Sequence, residues 1–447
     1  MKLQYSFGAR LQEQVEDEVR QPDEDSQIST KRQSGFQNSE DFPMTTLYRS
    51  LVNSIPTFTF AKFSAPVRLK VALALCLAFC TLGFSASTHA QTITTFEAPG
   101  AGTLSGQGTE AIDINPVGAI VGFSADSNNV AHGFVCISGC ASSHTFTTLQ
   151  APDAGTADNG SGCLAVDSCQ GTYAFGVSPF GVITGFYNDS NNTGHGFVIA
   201  PPYTTFTILN DPDAGQGAGQ GTFAEDINLE GEVAGSYIDA NGVSHGFVTS
   251  PPYTTFTSFD PTGSVATFLP AALGLNVAGA VTGLWVDSNG VFHGFLRAAN
   301  GTITEYNVSG GGSGSGQGTT TSGINDLGII MGPYIDSNGV EHGYIRSPFG
   351  NFTTFNVSGA GSGSGQGTVP EGNNVEGLVT GNYIDASGVN HGFVRSPFGQ
   401  IRTFDAPGAG TAAGQGTIPF TPNLLGAITG EIIDSNGVFH GFLRKAF

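Results

Sequence analysis

The chain has 447 residues, 66 of them Gly, with 36 Asp and Glu against 15 Lys and Arg and a formal net charge of −21. So acidic a surface repels phosphate backbones, which excludes nucleic acid as a partner. Little Lys with much Gly, Thr, Ser, Asn and Phe suits an exported all-β protein.

Residues 1–66 differ in kind from the rest. The run Glu13 to Asp25 is acidic with few large apolar residues and buries too little to fold alone. This segment is expected to be disordered or a misassigned start, with Met44 as the alternative beginning. Residues 67–90 follow the order of a secretory signal peptide: Arg68 and Lys70, an apolar run from Val71 to Phe84, then small residues to Ala90. The run is short of the roughly 20 residues that span a bilayer, so no stable membrane anchor is expected once cleavage after Ala90 has removed it. Cys76 and Cys80 leave with the signal, and neither follows the small residue of a lipoprotein cleavage site.

Residues 91–447 are built on one repeat. The stretch Gly328 to Tyr344, GIIMGPYIDSNGVEHGY, shows its skeleton: Gly, three residues, Gly, three residues, Asp, five residues, then His-Gly-Phe or His-Gly-Tyr. Its Asp recurs as Asp126, Asp189, Asp239, Asp287, Asp336, Asp385 and Asp434. Its His follows as His132, His195, His245, His293, His342, His391 and His440, spaced by 63, 50, 48, 49, 49 and 49 residues. That period is the length of a propeller blade. One copy divides into strands at 322–325, 329–336, 340–345 and 352–357, as a four-stranded blade requires.

Asn-Gly or Asn-Asn at the second and third positions after most of the Asp residues predicts a two-residue type I′ hairpin turn. In that register Asp and His point to opposite faces and cannot pair within one hairpin. Both are assigned structural roles, because an active site is a single constellation whereas a residue present in every repeat solves a problem every repeat has. The second Gly of the skeleton is expected where a neighbouring sheet approaches closely.

Between repeats lie loops such as SGGGSGSGQGT, 309 to 319, which lack the helix and Lys of a phosphate cradle. Their Gly-Gln-Gly-Thr ends are expected to re-enter the sheet, with Gln107, Gln220, Gln317, Gln366 and Gln415 bonding backbone at a turn. Asn115, Asn228, Asn276, Asn325, Asn374 and Asn423, with Ser178 in the remaining copy, are expected to close the next turn through their side chains. Near them stand Glu110, Asp113, Glu225, Asp226 and Glu371, read as a solvated channel rim, with a cation site as the alternative. Cys136, Cys140, Cys163 and Cys169 crowd the longest spacing. In an exported chain they predict disulfides of open pairing, and their spacing does not match structural zinc.

The recurrent His-Gly-Phe triplet, with the Gly-x3-Gly and Asn-x-x-Gly that precede it, resembles the HAF-repeat family of secreted bacterial extracellular proteins, over residues 92 to 447. The resemblance implies export and a repeat architecture; it implies no catalytic residue, no metal and no cofactor.

The expected fold is an all-β, seven-bladed β-propeller of four-stranded blades. TITTFEAP, 92 to 99, matches a fourth strand, while the C-terminus supplies the first three, so the N-terminal strand is expected to join the C-terminal blade. The expected function is a binding or structural interaction module for extracellular glycan or protein. The alternative is a propeller hydrolase or lyase with one acidic site at the channel mouth. A calcium-stabilised scaffold is disfavoured, because Asp-Ser-Asn-Gly supplies too few spaced carboxylates.

Overall fold

The computed structural model describes residues 92–137, 140, 146–157 and 169–446. The expected leader and signal segments, and Cys163, lie outside them. Among the described residues every regular element is a β-strand, and the 29 strands form one hydrogen-bonded network. The fold is all-β and propeller-like, a succession of antiparallel meanders.

The repeat at 367–404 shows the plan. A first strand, Gly367–Asn373, pairs with Val379–Ile384, which pairs with Asn390–Arg395, which pairs with Ile401–Phe404. Second strands such as Val233–Ile238 are buried at every residue, because both sheet faces are covered. Fourth strands such as Phe206–Leu209 have their middle residues exposed. The core lies between successive sheets: Val121, Val135 and Leu149 of one repeat pack with Ala174, Ile183, Tyr187 and Phe197 of the next. The aromatic residue of each His-Gly-Phe or His-Gly-Tyr triplet anchors this layer, and Phe134, Phe197, Phe247, Phe295, Tyr344, Phe393 and Phe442 are all buried. Gly is required before it because the last strand's ring lies on that spot; a Cβ at Gly343 would stand 2.7 Å from the Phe355 ring.

Successive repeats are joined where a first strand begins. Gly367 takes φ of +133°, and a Cβ there would fall 2.0 Å from the Glu341 carbonyl of the preceding repeat, so only Gly fits. The Thr that follows accepts a backbone N–H from the end of the preceding sheet, as Val357 N donates to Thr368 Oγ1 and Ala406 N to Thr417 Oγ1. The fourth repeat departs from the plan: its first strand shrinks to Ala266–Phe268, followed only by an isolated bridge from Leu275 to Val281.

The N-terminal strand Ile93–Phe96 pairs antiparallel with Phe439–Arg444, with Ile93 opposite Arg444 and Phe96 opposite Gly441. That is the register Ile401–Phe404 makes with Arg395 and Gly392. Phe96 and Ala98 pack with Ala111, Ile120 and Phe134 of the first repeat, and Ala427 and Leu443 of the last repeat join the same cluster.

Three expectations are corrected. The hairpin after each second strand is not a two-residue type I′ turn. Ile238 pairs with Ser244, so five residues intervene, and positive φ falls only on the third residue after the Asp: Gly242 at +87°, Gly290 at +77°, Asn129 at 56°. This is a type I turn closed by a residue in the left-handed region. In that register His245 lies opposite Tyr237, two residues before Asp239, which puts Asp and His on one face rather than on opposite faces. Finally, the close neighbour of the skeleton's second Gly is the first strand of its own sheet: a Cβ on Gly185 would meet the Tyr173 carbonyl at 2.0 Å.

Candidate functional site

The recurrent Asp is held by its turn. Asp336 Oδ1 accepts the N–H groups of Asn338 and Val340, and the same pair of bonds recurs at Asp126, Asp189, Asp239, Asp287, Asp385 and Asp434. These donors hold Asp189 and Asp336 below the usual carboxylate range, outweighing partial burial. The other oxygen, Oδ2, faces His Nε2 across the hairpin at 3.2 to 3.9 Å in every repeat.

The opposite ring nitrogen, Nδ1, meets a residue that follows the last hydrophobic position of the fourth strand. The pairs are His132 with Gln150, His195 with Asn210, His245 with Asp260, His293 with Asn307, His342 with Asn356, His391 with Asp405 and His440 with Glu97. In five repeats the ring also stacks on the aromatic opposite it: Tyr187, Tyr237, Trp285, Tyr334 or Tyr383. Each His therefore ties the third strand to the residue after the fourth through Nδ1, while Nε2 comes within hydrogen-bond distance of the Asp only in His132 and His342, and His293 Nε2 is buried without a hydrogen bond. The recurring Asn, Asp, Gln or Glu, 14 to 18 residues after His in the first six copies, was a sequence signal for this partner.

At the other end of the sheets, the recurrent Asn closes its turn and also reaches into the next repeat. Asn325 Oδ1 accepts the N–H groups of Leu327 and Ile329, while its Nδ2 donates to the Asn374 carbonyl. Asn276 donates likewise to Asn325, Asn374 to Asn423, Asn423 to Asn115 and Asn115 to Ser178. The turn-closing half of this arrangement was legible in the sequence; the relay between repeats was not.

The acids are buried rather than a solvated rim. Glu110 is 2 %, Asp113 7 %, Glu225 5 % and Asp226 5 % exposed, while Glu371 is half-buried. Asp113 accepts N–H groups from Ile114 and, across the joint, from Val177; Asp226 does the same with Ile227 and Leu275. These two carboxylates are clips between repeats. Burial pushes Asp113 up to about 7 and Asp226 to about 6 against the pull of those donors. Glu371 is pushed to about 8 by burial and by the nearby Glu341. Among the described residues no group of three or more His, Cys, Asp and Glu is arranged to hold a metal ion.

Cys136 and Cys140 form a disulfide between the end of a third strand and the loop after it. Cys169 is also disulfide-bonded.

Sequence reasoning passed over the residue four places after His in the last four repeats. Arg297, Arg346, Arg395 and Arg444 stand there, each guanidinium over the final aromatic of the preceding sheet: Phe259, Tyr306, Phe355 and Phe404, at 4.9, 5.0, 5.0 and 4.6 Å from the ring centres. The run His-Gly-aromatic-aliphatic-Arg was the visible signal. The turns at that end of the sheets carry exposed apolar side chains: Val117 and Leu425 between first and second strands, and Phe349 and Phe398 between third and fourth strands.

No protein-family model matches the sequence, and no curated protein matches it significantly. Among solved structures it is similar to TolB from Acinetobacter baumannii, with a TM-score of 0.42 and 11 % identity over 68 % of this chain and 64 % of that one. It is similar to the BP39L lectin from Burkholderia pseudomallei, with a TM-score of 0.46 and 10 % identity over 80 % of this chain and 98 % of that one. It is also similar to the SapL1 lectin, solved with alpha methyl fucoside, with a TM-score of 0.26 and 10 % identity over 77 % and 94 % of the two chains.

Proposed function

We propose that the chain is an exported, HAF-repeat-like β-propeller of seven four-stranded blades that serves as a binding module for extracellular glycan, through the end of the sheets that carries the Asn turns. The pairing of Ile93–Phe96 with Phe439–Arg444 and the bond from Asn423 to Asn115 support a ring closed by its own N-terminal strand. The observation that carries the binding role is a division of labour between the two ends. In every repeat Asp Oδ1 is engaged by its own turn and His Nδ1 by the residue after the fourth strand. The Asn-turn end instead offers side chains with nothing to hold them, Phe349 at 90 % and Phe398 at 77 % exposure among them. Isolated exposed apolar residues are ordinary, but several gathered at one end mark an interaction surface. Equivalent weak sites on successive blades would add by avidity.

A glycan array probed with the full chain and with the F349A/F398A double variant tests this reading. Binding that the double variant loses is expected; a chain that binds no glycan overturns it. Export is tested separately by sequencing the N-terminus of secreted material, which should begin at or near Gln91.

A further inference from the structure

Arg346 is a permanently charged group with only 8 % of its surface exposed. Its Nε and Nη1 are buried and make no hydrogen bond, and no carboxylate pairs with it among the described residues. It lies on the Tyr306 ring, 5.0 Å from the centre. That ring is fixed from behind, since its hydroxyl is hydrogen-bonded with Thr321 and Tyr344. The turn Ser347 to Gly350 lies across the guanidinium: Gly350, at φ of +86°, would place a Cβ 3.6 Å from Arg346 Nη2. Directly before Gly350 stands the exposed Phe349.

The next repeat builds the same set. Arg395 lies 5.0 Å from the centre of the Phe355 ring, its Nε is buried without a partner, and Nη1 donates to the Ser396 carbonyl. Gly399 would place a Cβ 3.4 Å from Nη2, and Phe398 precedes it. A buried cation without an anion is costly, and aromatic contact offsets only part of that cost. In both repeats Nη2, beside the turn glycine, is left open, and an arrangement repeated in this way fits a ligand that brings the anion.

We infer that Arg346 with Phe349, and Arg395 with Phe398, form two equivalent sites for an acidic sugar, the guanidinium taking the carboxylate and the exposed ring stacking on the apolar face of the pyranose. The carboxylate meets Nη2, the one nitrogen of each guanidinium that is neither buried nor bonded, through a charge-assisted bond stronger than a neutral sugar's hydroxyl can make. A sugar uses both halves of the site; a bare anion or an acidic peptide uses the arginine and leaves the phenylalanine idle. This inference rests on the glycan-binding reading above and narrows it to a chemical class.

The test is titration of the full chain with a short oligogalacturonate, a neutral oligosaccharide of equal length, and polyglutamate. The oligogalacturonate should bind at least about tenfold more tightly than either other probe, the discrimination expected of a charge-assisted pair. R346Q/R395Q should remove that preference. F349A/F398A, at exposed positions that leave the melting temperature unchanged, should weaken oligogalacturonate several-fold and leave polyglutamate untouched. If R346Q/R395Q fails to fold, the preference among the three probes and the Phe variant still decide. Neutral and acidic sugars binding alike, both sensitive to F349A/F398A, would overturn this inference and leave the glycan-binding reading standing. Equal binding of polyglutamate would overturn it in favour of an acidic protein partner. Binding of none of the probes, with an empty glycan array, would overturn both.

Discussion

The sheet assembled from the two ends of the chain and the interior sheet at 367–404 are the same object made in two ways. In the interior sheet His391 bonds Asp405, Phe404 packs on Gly392 and Asn374 reaches Asn423. In the composite sheet His440 bonds Glu97, Phe96 packs on Gly441 and Asn423 reaches Asn115. Each of these contacts has its counterpart; what differs is that His391 stacks on Tyr383 while His440 lies opposite Ile432, and that the covalent link between third and fourth strands is missing. In the interior, a lost contact leaves the fourth strand tethered at high local concentration. In the composite sheet the contacts alone hold it. Equal contacts should therefore carry unequal weight, and the largest differences should arise where the fourth strand is gripped.

Deleting residues 92–97 breaks the comparison outright. It exposes the edge of Phe439–Arg444 and should cost more than the ~3–5 kcal/mol of one buried Phe truncated to Ala, with aggregation. Thermal melting with light scattering checks it, and an unchanged melting temperature would show that this strand does not fasten the fold. Next comes Phe96→Ala. Phe96 is 4 % exposed and edge-on to Phe134 at 6.5 Å, so the loss should approach ~3–5 kcal/mol and exceed that of Phe404→Ala, whose side chain is only partly buried.

Glu97→Gln sharpens the comparison through pH. The bond to Glu97 raises the His440 pKa above its ordinary value of 6.5, with Asp434 adding to the effect from the other ring nitrogen. A raised imidazole contributes stability that is complete below 6.5 and is lost as pH rises through the folded-state value. Parallel denaturant titrations of the chain and of E97Q should therefore differ most below pH 6.5 and converge above it. Asp405→Asn, made in the tethered interior sheet, should lower the melting temperature less than E97Q. The smallest effect is expected where the fourth strand plays no part. Asp434→Ala and Asp336→Ala each remove two turn bonds and should each cost about 1 kcal/mol, equal within a few tenths. A much larger loss at Asp434 would mean that the turn, and not the strand, fastens the composite sheet.

The acids follow the opposite logic to the turn aspartates. Asp113, raised to about 7, is more stable protonated in the fold, so its contribution declines as pH climbs from about 4 towards 7; the lowered Asp336 contributes above about 4 and is lost below. One residue type thus serves two ends of a sheet with contrary pH dependence, because one position is buried at a joint and the other is wrapped by N–H donors near water.

The sequence by itself determined the period, the number of strands in a repeat, the positions of the second to fourth strands to within a residue or two, and the pairing partner of the N-terminal strand; the first strand, expected at 322–325, begins four residues earlier and is split into Gly318–Thr319 and Gly323–Ile324. These rest on local chemistry and on alternation: which residues turn, which are apolar, which Gly must stay bare. Tertiary structure decided the rest. The turn gained residues beyond the two that Asn-Gly implies, and that shift brought Asp and His onto one face, because alternation reverses orientation with every residue of register. Asp113 and Asp226 became buried clips, and Asn325 a link in a relay, because their partners lie 49 to 64 residues away across a joint. Arg346 became an unpaired buried cation because the ring beneath it and the turn above it come from two sheets that only packing brings together.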